Sequence, residues 1–379
     1  MRHADGVNSF SRRKVLWGIP VALVAACSEG PQETPPLPGV GSSLPSRWLM
    51  PDEGRPHTRT WMALGPTEDI WGADLVPAVR KNLADIAAAI VEFEPVTMLV
   101  RADDLEVARE LLDPKVDIMT VGIDDLWIRD TGPVFVTSQG GALAGVDFNF
   151  NGWGDKQEHG QDQQVAAAVT AEAKARPIRS RLVLEGGALE VDGEGTAIIT
   201  ESCVLNDNRN PDWSKDAVEG VLKEHLGVEK VIWLPGIAGR DITDGHTDFY
   251  ARFVAPGHVV AALDEDPESY DHDVTKRHLE ILRTASDAKG RPLAVTTLTA
   301  PKTLRAENPT EDFAAGYINF YLVNGGVIAP EFGDSEADQA AYDTLQELFP
   351  GRKVVQVNID GIAAGGGGIH CSTQQQPAL

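Results

Sequence analysis

The chain has 379 residues, 42% hydrophobic and 24% charged, enough to bury one large core or two ordinary ones. Its 33 basic against 57 acidic residues leave a net charge of -24, which argues against nucleic acid and anionic membrane surfaces as partners. That balance suits a cationic ligand or serves solubility alone, and three cysteines are too few for a disulfide framework or a four-cysteine zinc site.

At the front, Ser11-Arg12-Arg13-Lys14 precedes an apolar stretch through Ala26 that is too short to span a bilayer comfortably. It reads as a signal peptide of the twin-arginine type. Val24-Ala25-Ala26-Cys27 has the form of a lipoprotein cleavage box, which makes Cys27 the lipidated first residue of an exported protein. The expected organisation is a leader over 1–27, a Pro-rich linker over 28–46 and one folded domain over 47–379, anchored to the outer face of the cytoplasmic membrane.

Within the body, Leu75, Val79, Leu83, Ile86 and Ile90 fall at helical spacing, with Asp74 as a cap. A buried strand is predicted over 96–100, a helix over 105–112 and a strand over 116–121. The alternation recurs late, helical over 337–348 and extended over 353–357, so the fold class is α/β. Five segments join a strand-like run to an unusual polar cluster, centred on Asp130, Glu185, His246, Asn319 and Cys371. Their near-regular recurrence predicts five related αβ units, each lending one residue to a shared centre.

Cys371 follows the four glycines Gly365-Gly366-Gly367-Gly368, a run costly to order unless backbone must pass close to a ligand or aim one side chain. Asp130 stands near Trp127. It either pairs with Arg129 or, beside the indole, holds a flat cation. Glu185 precedes two glycines as a turn cap or a functional acid. His246 and Asp248, placed on a strand, would share a face and serve acid–base chemistry. With no further histidine or cysteine close in sequence, metal is not expected there. Cys203 sits in an apolar stretch and reads as a buried small hydrophobe, with a bridge to Cys371 left open. The acidic run Asp264-Glu265-Asp266-Pro267-Glu268 lacks the spacing of a calcium loop and reads as a solvated turn. A thiol, a histidine and several acids fit nucleophilic catalysis. Three or more acids disfavour thiolate by repulsion, so the arrangement makes sense when the substrate brings a permanent cation such as a guanidinium.

Taken with His57, Trp61-Met62, the stretch from Phe148 to Gly154, Glu201-Ser202-Cys203, Asn208-Arg209-Asn210-Pro211 and Tyr317-Ile318-Asn319, these segments resemble the agmatine deiminase (Porphyromonas-type peptidylarginine deiminase) family over 50–377. The resemblance implies a five-bladed pseudo-symmetric α/β propeller, the pentein fold, forming a single deiminase domain that needs no cofactor and no metal. It implies Cys371 as nucleophile, His246 as acid and base, Glu185 orienting His246, and Asp130, Asp248, Trp127 and Asn319 as substrate-binding residues. Ala188 departs from the polar residue many relatives carry. The implied reaction converts agmatine to N-carbamoylputrescine and ammonia. The alternatives are a peptidyl-arginine substrate and an inactive surface-anchored binding lipoprotein. The segment from Asn151 to Lys156 offers one lysine and no arginine for a substrate carboxylate, which tilts the expectation towards agmatine.

Overall fold

The computed structural model describes residues 47–379 except 307, 308 and 311. The leader, the Cys27 box and the linker expected over 1–46 lie outside the described residues. Among the described residues, no helix is long and apolar enough to cross a membrane.

Five small sheets make up the body, and each is built by the same four pieces. Two antiparallel strands lead to a crossover helix, which returns the chain to a third strand parallel to the second. Parallel neighbours require such a crossover, and the helix covers one face of its sheet. The second unit runs through Val134–Ser138, Leu143–Asp147, the helix Val165–Glu172 and Arg176–Arg179. The third runs through Leu189–Val191, Thr196–Thr200, Lys215–Leu226 and Lys230–Leu234. The fourth and fifth repeat this with the helices His272–Thr284 and Ser335–Leu348. The first unit is split: His57–Leu64, the helix Glu68–Val91 and Val96–Val100 take their antiparallel partner from the far end of the chain, Gln374–Pro377. Five units is the count that the propeller expectation requires.

Local sequence explains the elements. In Lys215–Leu226 the buried residues Val218, Val221, Leu222 and Leu226 form one apolar stripe. Ser214 caps the first turn by accepting from Ala217 N, and Gly227 ends the helix at φ 71°. The predicted elements over 96–100, 105–112, 116–121, 337–348 and 353–357 occur within a residue or two as Val96–Val100, Leu105–Leu111, Asp117–Thr120, Ser335–Leu348 and Lys353–Asn358. Two expectations are corrected. The first helix starts at Glu68 after Thr67 and is interrupted by Gly72 at φ 72°, so Asp74 lies inside it and is not its cap. His246 and Asp248 are not on a strand. A short 3-10 turn, Thr247–Phe249, follows His246, and the fourth unit's first strand begins only at Ala251.

A buried ionic network links all five units. Arg252, in the fourth unit, donates from Nε to Glu190 of the third at 2.8 Å and from Nη2 to Glu53, ahead of the first, at 2.8 Å. Its Nη1 donates to Phe320 O, ahead of the fifth unit, at 2.6 Å. Arg129, ahead of the second unit, reaches Glu53 and the Gln375 side chain in the closing strand. Replacing Arg252 by Met is expected to leave Glu190 as a buried carboxylate without a cation and to strip Glu53 of one of its two arginines. The expected loss is about 3–5 kcal/mol of stability, read from the urea midpoint at unchanged m-value.

Candidate active site

The residues singled out from sequence sit at one topological position. Asp130 precedes Val134–Ser138, Glu185 precedes Leu189–Val191, and His246 with Asp248 precedes Ala251–Ala255. Asn319 precedes Tyr321–Val323, and Cys371 precedes Gln374–Pro377. Each unit thus presents its leading loop to the same place, and all six residues are buried there.

Cys371 Sγ lies 3.4 Å from Asp248 Oδ2 and accepts from Asn319 Nδ2 at 3.2 Å. Asn319 Oδ1 accepts from the backbone N–H of His370 and of Cys371, at 2.9 and 3.3 Å, so both ends of this amide hold the loop that carries the sulfur. His246 lies between two acids, with Nε2 3.4 Å from Glu185 Oε2 and Nδ1 3.8 Å from Asp130 Oδ2. Glu185 Oε1 accepts from Arg209 Nε at 2.7 Å, and Arg209 Nη1 continues to Asp244 at 2.9 Å. Asp130 accepts from Trp153 Nε1 and from Gly187 N, each at 3.0 Å.

The glycines permit this crowding. A Cβ on Gly187 would lie 2.6 Å from His246 Nδ1 and about as close to Asp130 and Asp248. On Gly367 it would strike the Trp127 ring at 2.0 Å, and on Gly368 the Asn319 amide at 2.4 Å. The run before Cys371 is therefore packed backbone. Trp127 covers that backbone while its indole N–H goes to Asp125 at 3.0 Å.

Electrostatics sort the groups. Burial pushes the Cys371 thiol well above its ordinary value, and Asp248 and Asp130 push it further. Burial opposes charge on His246, but Asp130 and the bonds to Cys203 and Glu185 outweigh it and raise this imidazole well above the usual range. Burial likewise opposes ionisation of Glu185, yet His246 and Arg209 lower it to about 2. Asp130 is raised by burial, with His246 opposing and Asp248 and Glu185 adding to the rise. Burial raises Asp248, but the His370 contact, with His246 and Arg252, outweighs it and lowers this carboxyl.

Several functional neighbours were not singled out from sequence. Trp153, Arg209 and His370 each hold one of the acids, and Glu53 braces His370 from its other side. Arg209 was visible only within the Asn208-Arg209-Asn210-Pro211 motif. Cys203, read as a buried hydrophobe, is free and buried but donates from Sγ to Glu185 Oε2 at 3.5 Å. Glu185, Cys203 and His246 have potential ligand atoms within 4.8 Å of one another, and the same atoms are engaged in these hydrogen bonds.

A cavity of about 440 Å³ reaches His246 and the backbone of Gly365 and Gly366. Asp241, Asp264, Asp266, Asp271 and Asp312 line its wall, opposite one arginine, Arg240. Cys371, Asp130 and Asp248 are not on that wall, so access to the sulfur runs past His246 and the glycine backbone. Lys156 is engaged elsewhere, donating to Asp244 at 2.7 Å and to Ile242 O at 3.0 Å.

The sequence pattern of the family described as Porphyromonas-type peptidyl-arginine deiminase matches residues 49–377. The agmatine deiminase of Stutzerimonas stutzeri is 41% identical over 354 residues, covering 87% of this chain and 96% of that protein. Among solved structures, the agmatine deiminase of Enterococcus faecalis superposes with a TM-score of 0.82 at 34% identity, covering 87% of this chain and 96% of that one. A Cys-to-Ser variant of the C. jejuni agmatine deiminase with substrate bound superposes with a TM-score of 0.77 at 26% identity and the same coverage.

Only the thiolate is alkylated, and the Cys371 thiol titrates above its ordinary value of 9.0 in the free protein. Its reaction with iodoacetamide, followed on the Cys371 peptide by mass spectrometry, is therefore expected to rise about tenfold per pH unit right up to pH 9. A plateau reached below pH 8 would contradict this electrostatic picture.

Proposed function

We propose that this chain, which belongs to the Porphyromonas-type peptidyl-arginine deiminase family, hydrolyses agmatine to N-carbamoylputrescine and ammonia through an adduct on Cys371. The observation that carries this reading is a pair of buried polar atoms without a partner, His246 Nδ1 and Asp248 Oδ1. Buried polar groups are nearly always paired, so two such atoms in one crowded cluster mark the place of a ligand. A guanidinium offers Asp248 Oδ1 the N–H donors it lacks, and its charge offsets the acids that keep the thiol protonated.

The sequence of events follows from that charge balance. The bound cation lowers the thiol pKa, the thiol gives its proton to solvent as the substrate enters, and the thiolate attacks the central guanidinium carbon to form a C–S bond. His246, held protonated, delivers its proton to the departing nitrogen, and ammonia leaves as the C–N bond breaks. The now neutral imidazole takes a proton from water, which adds to the amidino-thioether carbon. The C–S bond then breaks and the ureido product departs. Glu185, anchored by Arg209, stabilises the imidazolium, while Asp130 and Asp248 clamp the guanidinium nitrogens. The acidic cavity wall suits the far-end ammonium of agmatine. A free arginine would need a cation for its carboxylate; Lys156 is already held by Asp244, and Arg240, the one arginine on the cavity wall, stands among five aspartates. The close relatives named above as agmatine deiminases support the same choice.

Cys371→Ala is expected to abolish ammonia release while calorimetry still registers agmatine binding. Ammonia release that survives the substitution would remove the sulfur from the chemistry.

Residues 1–27 further support export by the twin-arginine route, with Cys27 as the lipid-bearing residue and 28–46 as a tether. Cys27→Ser is expected to move the protein from the membrane to the soluble fraction of the source cell. Wild-type protein recovered only from the cytosol would end this part of the proposal.

A further inference from the structure

His370, the residue before the nucleophile, has no part in the reaction as written, yet it is held at both ring nitrogens and at both backbone polar groups. Its Nδ1 lies 2.7 Å from Asp248 Oδ2 and its Nε2 lies 3.0 Å from Glu53 Oε2. Its backbone N–H goes to Asn319 Oδ1 at 2.9 Å, and its carbonyl accepts from Arg129 Nε at 3.2 Å. Those partners come from the loops that lead the first, second, fourth and fifth units. The ring itself is buried.

We infer that His370 is a positioning residue for deimination, fixing which oxygen of Asp248 faces the substrate and how far that oxygen lies from Cys371 Sγ. The inference rests on the reading of this site as a guanidinium clamp.

The division of labour on Asp248 carries the argument. Its Oδ2 is occupied by His370 and lies 3.4 Å from the sulfur, while its Oδ1 is buried and unpaired. A carboxylate turns easily about its terminal torsion, so a fixed partner on one oxygen is what keeps the other aimed. Carboxylate oxygens only accept, so both ring contacts of His370 are hydrogen bonds when both ring nitrogens carry hydrogen. A ring donating at both ends is a strut of fixed length between Asp248 and Glu53. Glu53 in turn does not move, since Arg252 and Leu322 N hold its other oxygen at 2.8 Å each. The lowered pKa of Asp248 agrees with this: burial raises it, and the His370 contact leads the opposing influences, with His246 and Arg252 behind it, that together keep that carboxylate charged. A peptide bond joins the strut to Cys371, so one residue sets both the clamp and the nucleophile.

The test compares alkylation of Cys371 by two reagents of similar size, neutral 2-chloroacetamide and cationic 2-chloroacetamidine, in full-length wild type and His370→Gln. Glutamine keeps one donor near Asp248 but cannot reach both carboxylates. The wild type is expected to prefer the cationic reagent. In His370→Gln this preference is expected to fall about tenfold or more, the scale of one misplaced charge-assisted contact, with the KM for agmatine rising. Equal slowing of both reagents, with the ratio intact, would reduce His370 to a packing role and overturn the inference. A wild type without any preference would instead sink the guanidinium reading on which it rests. Should His370→Gln fail to fold, His370→Asn, likewise unable to bridge both carboxylates, is read by the same ratio: a fall supports the inference and an unchanged ratio overturns it.

Discussion

The fold depends on a charged knot that an apolar core would ordinarily exclude. Arg252 and Arg129 hold Glu53 and Glu190 out of water, and their partners come from every unit of the repeat. Removing such ions from water costs several kcal/mol each, and that is recovered only when the partner geometry is complete. The knot therefore constrains more than it stabilises. Five sheets with similar edges have several ways to pack, but only one brings Glu53 within reach of both arginines and His370. Specificity of arrangement is the use to which buried ions are best suited, and here the arrangement also aims the loops that carry the site.

Above that knot the chemistry is sorted by surroundings. Asp130, Asp248 and Glu185 are buried in one cluster, yet burial and partners drive their pKa values apart. Arginine and imidazole keep Glu185 charged, His370 keeps Asp248 charged, and burial raises Asp130. The thiol remains protonated in such company. A site whose nucleophile is suppressed by its own acids is selective by construction. Neutral molecules of similar shape do nothing to relieve the suppression, whereas a permanent cation relieves it on arrival.

Much of the alternation was legible because helix and strand periods are local. The spaced leucines, isoleucines and valine of Glu68–Val91 and the apolar run Val96–Val100 announce their own geometry. The rhythm of polar clusters also disclosed the five leading loops, since Asp130, Glu185, His246 and Asn319 each stand near a largely apolar strand, and Cys371 follows a glycine run. Less was legible of what supports them. Glu53, Arg129, Arg252 and His370 lie up to hundreds of residues apart, and a pair across that distance leaves no period to read. Two of the network's residues did carry a signal: Glu190 and Arg252 interrupt otherwise apolar strands, where a charge implies a buried partner. The strand expected at His246 failed for a related reason. Asp244 at φ 64° and Gly245 at φ 89° turn the backbone away from an extended path, so imidazole and acid meet by a turn instead of by alternation.

The strand Gln374–Pro377 is both the seam that joins the first unit and the segment just after Cys371. Assembly and activity are thereby a single event. A nascent polypeptide acquires its nucleophile only with the stretch that zips onto the edge of the first unit. Half-made copies are inert towards the guanidines around them, and any lesion that unzips that edge disarms the catalyst as it loosens the scaffold.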